Sequence, residues 1–360
     1  LMTPRERARV KGVVINKFRG DPSLFADGVR LLEAYAGVPV LGVIPHIRDL
    51  NIEAEDSVAL EPAGGPAAPE PAPDDVRVAI VQLPHIANFT DFDPLFLEPG
   101  IFAWFCRRPE ELAGAHAVIL PGSKHTVHDL AWLRETGMDR AVAERRAAGA
   151  DVIGVCGGYQ MLGRLIQDPL GAESDEPVTE GLGWLPVVTT IAAEKRTVRV
   201  AGELLGAFPG LPVTGYEIHM GRTALDTGGR PFARVRQVGA VDRLARDCAI
   251  PAEDAREALT RDGFALDGAV SEDGRVMGTY LHGIFDNDAF RRVWLARLRA
   301  RFGLPEPAGP APEMSAVREA ALDRLADVVR EHLRMDVIHR LLGPPAGRTA
   351  VRPDGGGERR

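Results

Sequence analysis

The chain has 360 residues, 45% of them hydrophobic and 26% charged, which is length for two or three domains at a near-average globular composition. That balance excludes wholesale disorder, and a net charge of −8 lacks the basic footprint a nucleic-acid binder needs to neutralise phosphates. Uncharged stretches such as Val152 to Gly163 and Gly181 to Ala193 fall short of the roughly 18 apolar residues of a membrane span. The N-terminal LMTPRERARVK has no apolar run behind its positive charges, so no secretory signal is expected. The default expectation is a cytoplasmic enzyme with no nucleic-acid and no membrane partner.

In chain order, Lys11 to Phe18 and Val38 to Pro45 are short β-branched runs flanking a helical stretch, Ser23 to Tyr35. This β-α-β unit cannot cover both faces of a parallel sheet, so residues 1–60 are expected to be the C-terminal part of a larger α/β domain. An opening Leu rather than Met agrees with that expectation. Residues 61–75, EPAGGPAAPEPAPDD, read as a semi-stiff linker. A second α/β domain is expected over 76–300. Its buried parallel strands are predicted at 76–83, 116–122 and 151–158, and its helices at Asp129 to Ala148 and Tyr159 to Ile166. Later strands are predicted at Leu182–Ala192, Thr214–Met220 and Arg275–His282. The Arg-, Asp- and Ala-rich stretch from Arg230 to Asp267 has no assigned place and reads as a surface insertion. A Pro-rich break at 301–313 precedes one amphipathic helix over 314–342, with Val317, Leu325, Val328, Val329 and Leu333 at helical spacing. Residues 343–360 are expected to be a disordered tail.

Three cysteines, Cys106, Cys156 and Cys248, lack the spacing of a disulfide framework or a cysteine zinc site. Cys156 stands apart. Gly154-Val155-Cys156-Gly157-Gly158 runs from a buried strand into a helix start, with glycines two residues either side of the cysteine, as a nucleophile elbow requires. A thiol at a helix N-terminus is favoured as the attacking thiolate, and the Gly157 amide would face a developing oxyanion. The alternative, a buried structural cysteine, is the reading for Cys106 and Cys248.

A cysteine nucleophile needs an imidazole to carry protons. His282 is the best placed of nine histidines, because it ends a predicted strand and precedes Gly283 at the edge that carries Cys156. Gly122, in the turn Leu120-Pro121-Gly122-Ser123-Lys124, is the candidate second oxyanion donor. Glu217 and His219 share one face of a strand, either as exposed polar residues or as catalytic support. His125 and His128 are spaced for a metal, but no third ligand suggests itself, so no metal site is expected.

GVCGGYQ, LPGSK, GYEIHMG and TYLHGIF, in this order, resemble the glutamine amidotransferase domain of the cobyric acid synthase family. NFTDFDPL (88–95) and INKFRGD (15–21) point to that family in particular, and the resemblance runs from about Val10 to Leu342. It implies a class I-like amidotransferase domain with a mostly parallel sheet, preceded by the C-terminal end of a P-loop-type α/β synthetase domain. It implies ATP-dependent amidation, with Mg²⁺, of carboxylates on a corrin polycarboxylate, adenosylcobyrinic acid a,c-diamide, with ammonia taken from glutamine. Cys156 would attack the glutamine amide, His282 would carry protons, and Gly157 and Gly122 would hold the oxyanion. Tyr159 and Gln160 would line the glutamine pocket, and Asn16 would contact adenine.

Two departures stand out. Ordinary class I amidotransferases carry a Glu two residues after the catalytic histidine, and this chain has Ile284 there; Glu217, Asp91 and Asp93 are the candidates to replace it, or a Cys-His dyad suffices. No G-x-x-x-x-G-K-[ST] occurs, so the chain is expected to supply the glutaminase half without the phosphate-binding part of the synthetase. Rival readings are cobyrinate a,c-diamide synthase, a glutaminase that amidates peptidoglycan precursors, a cysteine peptidase, and an inactive fragment acting only as a binding module.

Overall fold

The computed structural model describes residues 2–47, 50, 70–238 and 263–343. The chain divides into two compact units, one made of Leu1–Ile52 with Ser315–Arg360 and one of Glu53–Met314. Of the expected 61–75 linker, residues 61–69 lie outside the described residues, as do Cys248 and the tail 344–360.

In the first unit, β1 (Val13–Phe18) and β2 (Val40–Pro45) pair in parallel across α1 (Ala26–Ala36). The helix starts later than its sequence predicts because Asp21 caps a 3-10 turn over Pro22–Phe25 first. The single C-terminal helix predicted over 314–342 is two helices, Met314–His332 and Met335–Leu342. Between them Leu333 bridges Gly42, and the Arg334 amide donates to the Leu41 carbonyl at 2.8 Å. Helical periodicity cannot register this break, since the competing acceptor lies almost 300 residues earlier. Gly42 permits the approach: a Cβ there would fall 2.1 Å from the His332 carbonyl oxygen.

The second unit is built on a six-stranded sheet. In chain order its parallel strands are β3 (Val76–Val81), β4 (Ile101–Cys106), β5 (Ala117–Leu120) and β6 (Asp151–Val155). Helices α2 (Thr126–Thr136) and α3 (Met138–Ala147) lie between β5 and β6, and α4 (Gly157–Leu162) follows β6. The helix predicted over Asp129 to Ala148 is thus two, because Gly137 takes a left-handed φ of 75° between them. The one predicted over Tyr159 to Ile166 stops at Gly163, after which Leu165–Gln167 form a strand. Strand β4 has no counterpart among the predicted strands.

A second, mostly antiparallel sheet is dominated by β7 (Val187–Leu204) and β8 (Pro212–Leu225), both longer than predicted. Leu182 to Leu185, expected to begin the first of these, instead cover α4, donating from Leu182 to Met161 and from Trp184 and Leu185 to Leu162. The described ends of the unassigned Arg230 to Asp267 stretch are strands, Ala233–Gln237 on β7 and Ala265–Asp267 beside it. Residues 239–262 lie outside the described residues.

The six-stranded sheet is completed by β9 (Val276–Thr279), so that its order is Ala269–Val270, β9, β6, β5, β3, β4. Every contact among β3, β4, β5, β6 and β9 is parallel, and only Ala269–Val270 is antiparallel. Val76, Val78, Ala79, Ile80, Val118, Ile119 and Val152 are fully buried, as strands covered on both faces must be. The strand predicted over Arg275 to His282 changes sheet partway. After Thr279 the Asp267 carboxylate takes the Tyr280 amide at 3.0 Å, and Leu281–His282 then pair with β8, His282 opposite Tyr216. Helix α5 (Asp288–Phe302) closes the core with Phe290, Trp294 and Leu298.

Candidate active site

Cys156 sits between β6 and α4 with φ 53° and ψ −108°, a conformation that costs a non-glycine residue on the order of 1–3 kcal/mol. The surrounding glycines make it possible. A Cβ on Gly158 would fall 1.9 Å from the Leu120 carbonyl oxygen, and one on Gly154 would meet Gly158 at 2.6 Å. The turn is therefore pressed against β5 by residues with no side chain to obstruct it. Gly157 begins α4, so its amide has no acceptor within the helix, and a Cβ there would lie 2.8 Å from the Ser123 nitrogen. Gly122 stands on the far side: a Cβ on it would be 3.6 Å from His282 Cε1 and 3.7 Å from Cys156 Cβ. The four residues singled out in the sequence for attack, proton transfer and oxyanion binding thus occupy one locality. The Cys156 thiol donates to the Ile218 carbonyl at 3.4 Å, while Cys106 is buried, with its thiol pushed up to about 12 by burial and the nearby Glu111.

His282 is 1% exposed. Its Nδ1 is 2.6 Å from Asp91 Oδ2, and Asp91 Oδ1 accepts the Gly283 amide at 3.1 Å. Burial opposes a charge on the imidazole, but hydrogen bonds and charges from Asp91 and Cys156 outweigh it and raise its pKa to about 10. The Tyr216 ring stacks on the imidazole at 5.1 Å and 14°, and its hydroxyl accepts from Asn88 Nδ2 at 3.1 Å. Asn88 makes this possible by a left-handed turn, φ 53°, that starts the 3-10 segment Phe89–Phe92. The segment's apolar Phe89 and Phe92 are buried and carry Asp91 inward with them.

Of the three acids left open by the sequence, Asp91 is the one at His282. Asp93 lies exposed in the first turn of the short helix Asp93–Leu97. Glu217 pairs with Arg196 at 2.8 Å and stands 3.7 Å from His219 Nε2. Burial works to raise the Glu217 pKa, but the hydrogen bond from His219 and the Arg196 charge bring it below the ordinary carboxylate range. His219 bonds the Gly221 carbonyl through Nδ1 at 2.7 Å and stacks on Tyr280 at 3.9 Å. Glu217, His219, Arg196, Asp267 and Tyr280 line a cavity of about 510 Å³.

Gln160 is buried and held at both ends: Oε1 accepts from Thr126 Oγ1 and Nε2 donates to the Tyr280 hydroxyl, each at 3.0 Å. Tyr159 departs from the expectation that it lines a glutamine pocket. It is 2% exposed and packed in the core, so close to the sheet that a Cβ on Gly278 would fall 2.1 Å from its ring. Asn16 belongs to the other compact unit, where it is exposed and its side-chain oxygen accepts the Lys17 amide at 2.9 Å. Near His128, for which the sequence supplied no third ligand, stand His85 and Asp129, and the His125 ring lies edge-on to that of His85 at 4.8 Å. Sequence reasoning missed Tyr216 and Tyr280, although both lie inside the quoted GYEIHMG and TYLHGIF segments.

A CobB/CobQ-like glutamine amidotransferase domain model matches residues 77–290. The cobyric acid synthase of Desulforudis audaxviator (strain MP104C) is 44% identical over 347 residues, covering 95% of this chain and 63% of that protein. The cobyric acid synthase of Pelotomaculum thermopropionicum is 45% identical over 368 residues, covering 99% of this chain and 65% of that protein. The chain thus spans somewhat less than two thirds of these relatives' length. A solved glutamine amidotransferase aligns with a TM-score of 0.41 at 20% identity, covering 62% of this chain and 98% of its own. PurLQS from Thermotoga maritima aligns with the same score at 16% identity, covering 62% and 99%.

Proposed function

The chain belongs to the CobB/CobQ-like glutamine amidotransferase family, and from that membership we propose that Cys156, His282 and Asp91 hydrolyse the side-chain amide of glutamine to release ammonia. The observation that carries the reading is His282 held by Asp91 through Nδ1 while its other edge faces Cys156. Cys156 Sγ attacks the amide carbon as a thiolate, and the oxygen takes the negative charge between the Gly122 and Gly157 amides. His282, cationic after receiving the thiol proton, passes a proton from Nε2 to the departing nitrogen, so ammonia leaves and a glutamyl thioester remains. It then takes a proton from water as the hydroxyl attacks the thioester, and Cys156 is regenerated as glutamate departs. Asp91 keeps Nδ1 protonated throughout and stabilises the imidazolium without itself taking the proton.

The ammonia is assigned to ATP-dependent amidation of carboxylates on a corrin polycarboxylate, on the strength of 44–45% identity to cobyric acid synthases. The sequence has no Gly-rich phosphate loop with its lysine, so no step through ATP or Mg²⁺ is derived from its residues. The amidotransferase reading is tested by intact-mass analysis after exposure to 6-diazo-5-oxonorleucine, a glutamine-analogue electrophile. One adduct on the wild type and none on Cys156→Ala is the expected result. A wild type that stays unmodified and releases no ammonia from glutamine overturns it.

A further inference from the structure

Outside the Cys156 site, His85 and His128 gather around one buried carboxylate, with the His125 ring against His85. Asp129, fully buried in the first turn of α2, accepts from Ser123 Oγ at 2.6 Å through Oδ2. The His85 amide lies 3.3 Å from both of its oxygens, and His85 Nδ1 is 2.8 Å from Oδ1. His128 Nδ1 is 3.9 Å from the same oxygen. The rings of His125 and His128 stand edge-on to that of His85, at 4.8 and 4.9 Å. We propose that His85, His128 and Asp129 bind one divalent transition cation of the zinc type, with solvent completing its coordination.

The geometry is close to what such an ion needs. Bonds of about 2.0–2.2 Å in a tetrahedral site put donor atoms roughly 3.4 Å apart, and the donor atoms of His85, His128 and Asp129 all lie within 4.8 Å of one another. The His128 side chain is 66% exposed, so its ring swings inward without disturbing the core. Imidazole with carboxylate suits zinc, nickel or cobalt, whereas calcium and magnesium take oxygen ligands. The Asp129 charge offsets half of the ion's, and the buried end of the carboxylate is oriented by Ser123, the outer-sphere support that metal-binding carboxylates use.

The site also adjoins the proposed oxyanion turn. Ile86 and Ala87 pair with Ser123 and Gly122, and the Lys124 amide donates to the His85 carbonyl at 2.9 Å. A cation here ties together the loop that leads into Asp91 and the turn that carries Gly122.

The test is a Co²⁺ titration of the chain carrying Cys156→Ala, which removes the thiol beside His282, followed by visible absorption. A four-coordinate Co²⁺ spectrum saturating at one equivalent, displaced by Zn²⁺, is expected. His85→Ala and His128→Ala should each weaken binding tenfold or more, and the second alters only an exposed side chain, so its fold is retained. Failure to saturate at one equivalent overturns the proposal. So does binding left unchanged by both substitutions, since the metal would then be held elsewhere.

Discussion

Asp91 and His282 lie 191 residues apart in the chain, and their side chains meet at 2.6 Å in the interior of the second unit. Asp91 arrives on a 3-10 turn anchored by buried phenylalanines, and His282 on a two-residue strand that has just left the central sheet. Neither element is long enough to hold its residue rigidly alone. The carboxylate bonds both the imidazole and the Gly283 amide, so it orients the ring and the backbone that carries it.

Asp91→Asn keeps the shape of this contact but permits the wrong imidazole tautomer. Glutamine hydrolysis should fall by about 10²-fold or more in kcat, with a smaller change in KM. Asp91 raises the His282 pKa, so the His282 titration followed by NMR should move down toward the ordinary 6.5 in the variant. An unmoved titration would show that Asp91 does not act through the imidazole.

The same pair makes stability depend on pH in a defined direction. The His282 pKa is raised from the ordinary histidine value of 6.5 to about 10 in the fold. A folded state that binds the proton more tightly has its full contribution below about pH 6.5 and loses it as pH rises through about 10. Urea midpoints of the wild type should therefore decline between pH 7 and 10, and Asp91→Asn should decline less over that interval.

Cys156 holds a positive φ that glycine adopts freely. Cys156→Gly should therefore be more stable than Cys156→Ala, by about 1 kcal/mol, because both remove the thiol and only one relieves the backbone. Denaturant unfolding of the two variants checks this. Equal stabilities would mean that the surrounding structure, not the residue, sets the strain.

Gly158 has the tightest approach in the elbow, with the Leu120 carbonyl oxygen 1.9 Å from where a Cβ would be. Gly158→Ala must push α4 away from β5, and a loss of roughly 3 kcal/mol or more is expected. Gly183→Ala serves as the comparison: nothing lies within 4 Å of a Cβ there, although its φ is +73°, so only backbone strain of about 1 kcal/mol should register.

Much of the site was legible because local chemistry demanded it. Cys156 declares itself through glycines that a strained strand-to-helix turn cannot do without, and Gly122 and His282 through their positions after apolar strands that end at one sheet edge. The mostly parallel sheet follows from buried β-branched runs, which water excludes on both faces. What the sequence left open depended on contacts between distant segments. Periodicity could not say that the C-terminal helix breaks where Arg334 finds the Leu41 carbonyl, or that the strand predicted from Arg275 changes sheets when Asp267 captures the Tyr280 amide. Nor could it choose among Asp91, Asp93 and Glu217, because each is a plausible acid until a backbone path carries one to the imidazole. The sequence alone therefore determined which chemical groups were available and which turns could hold them. Tertiary structure decided which acid reaches His282 and which histidines gather at Asp129, since hydrogen bonds of about 3 Å are satisfied only after the chain has packed.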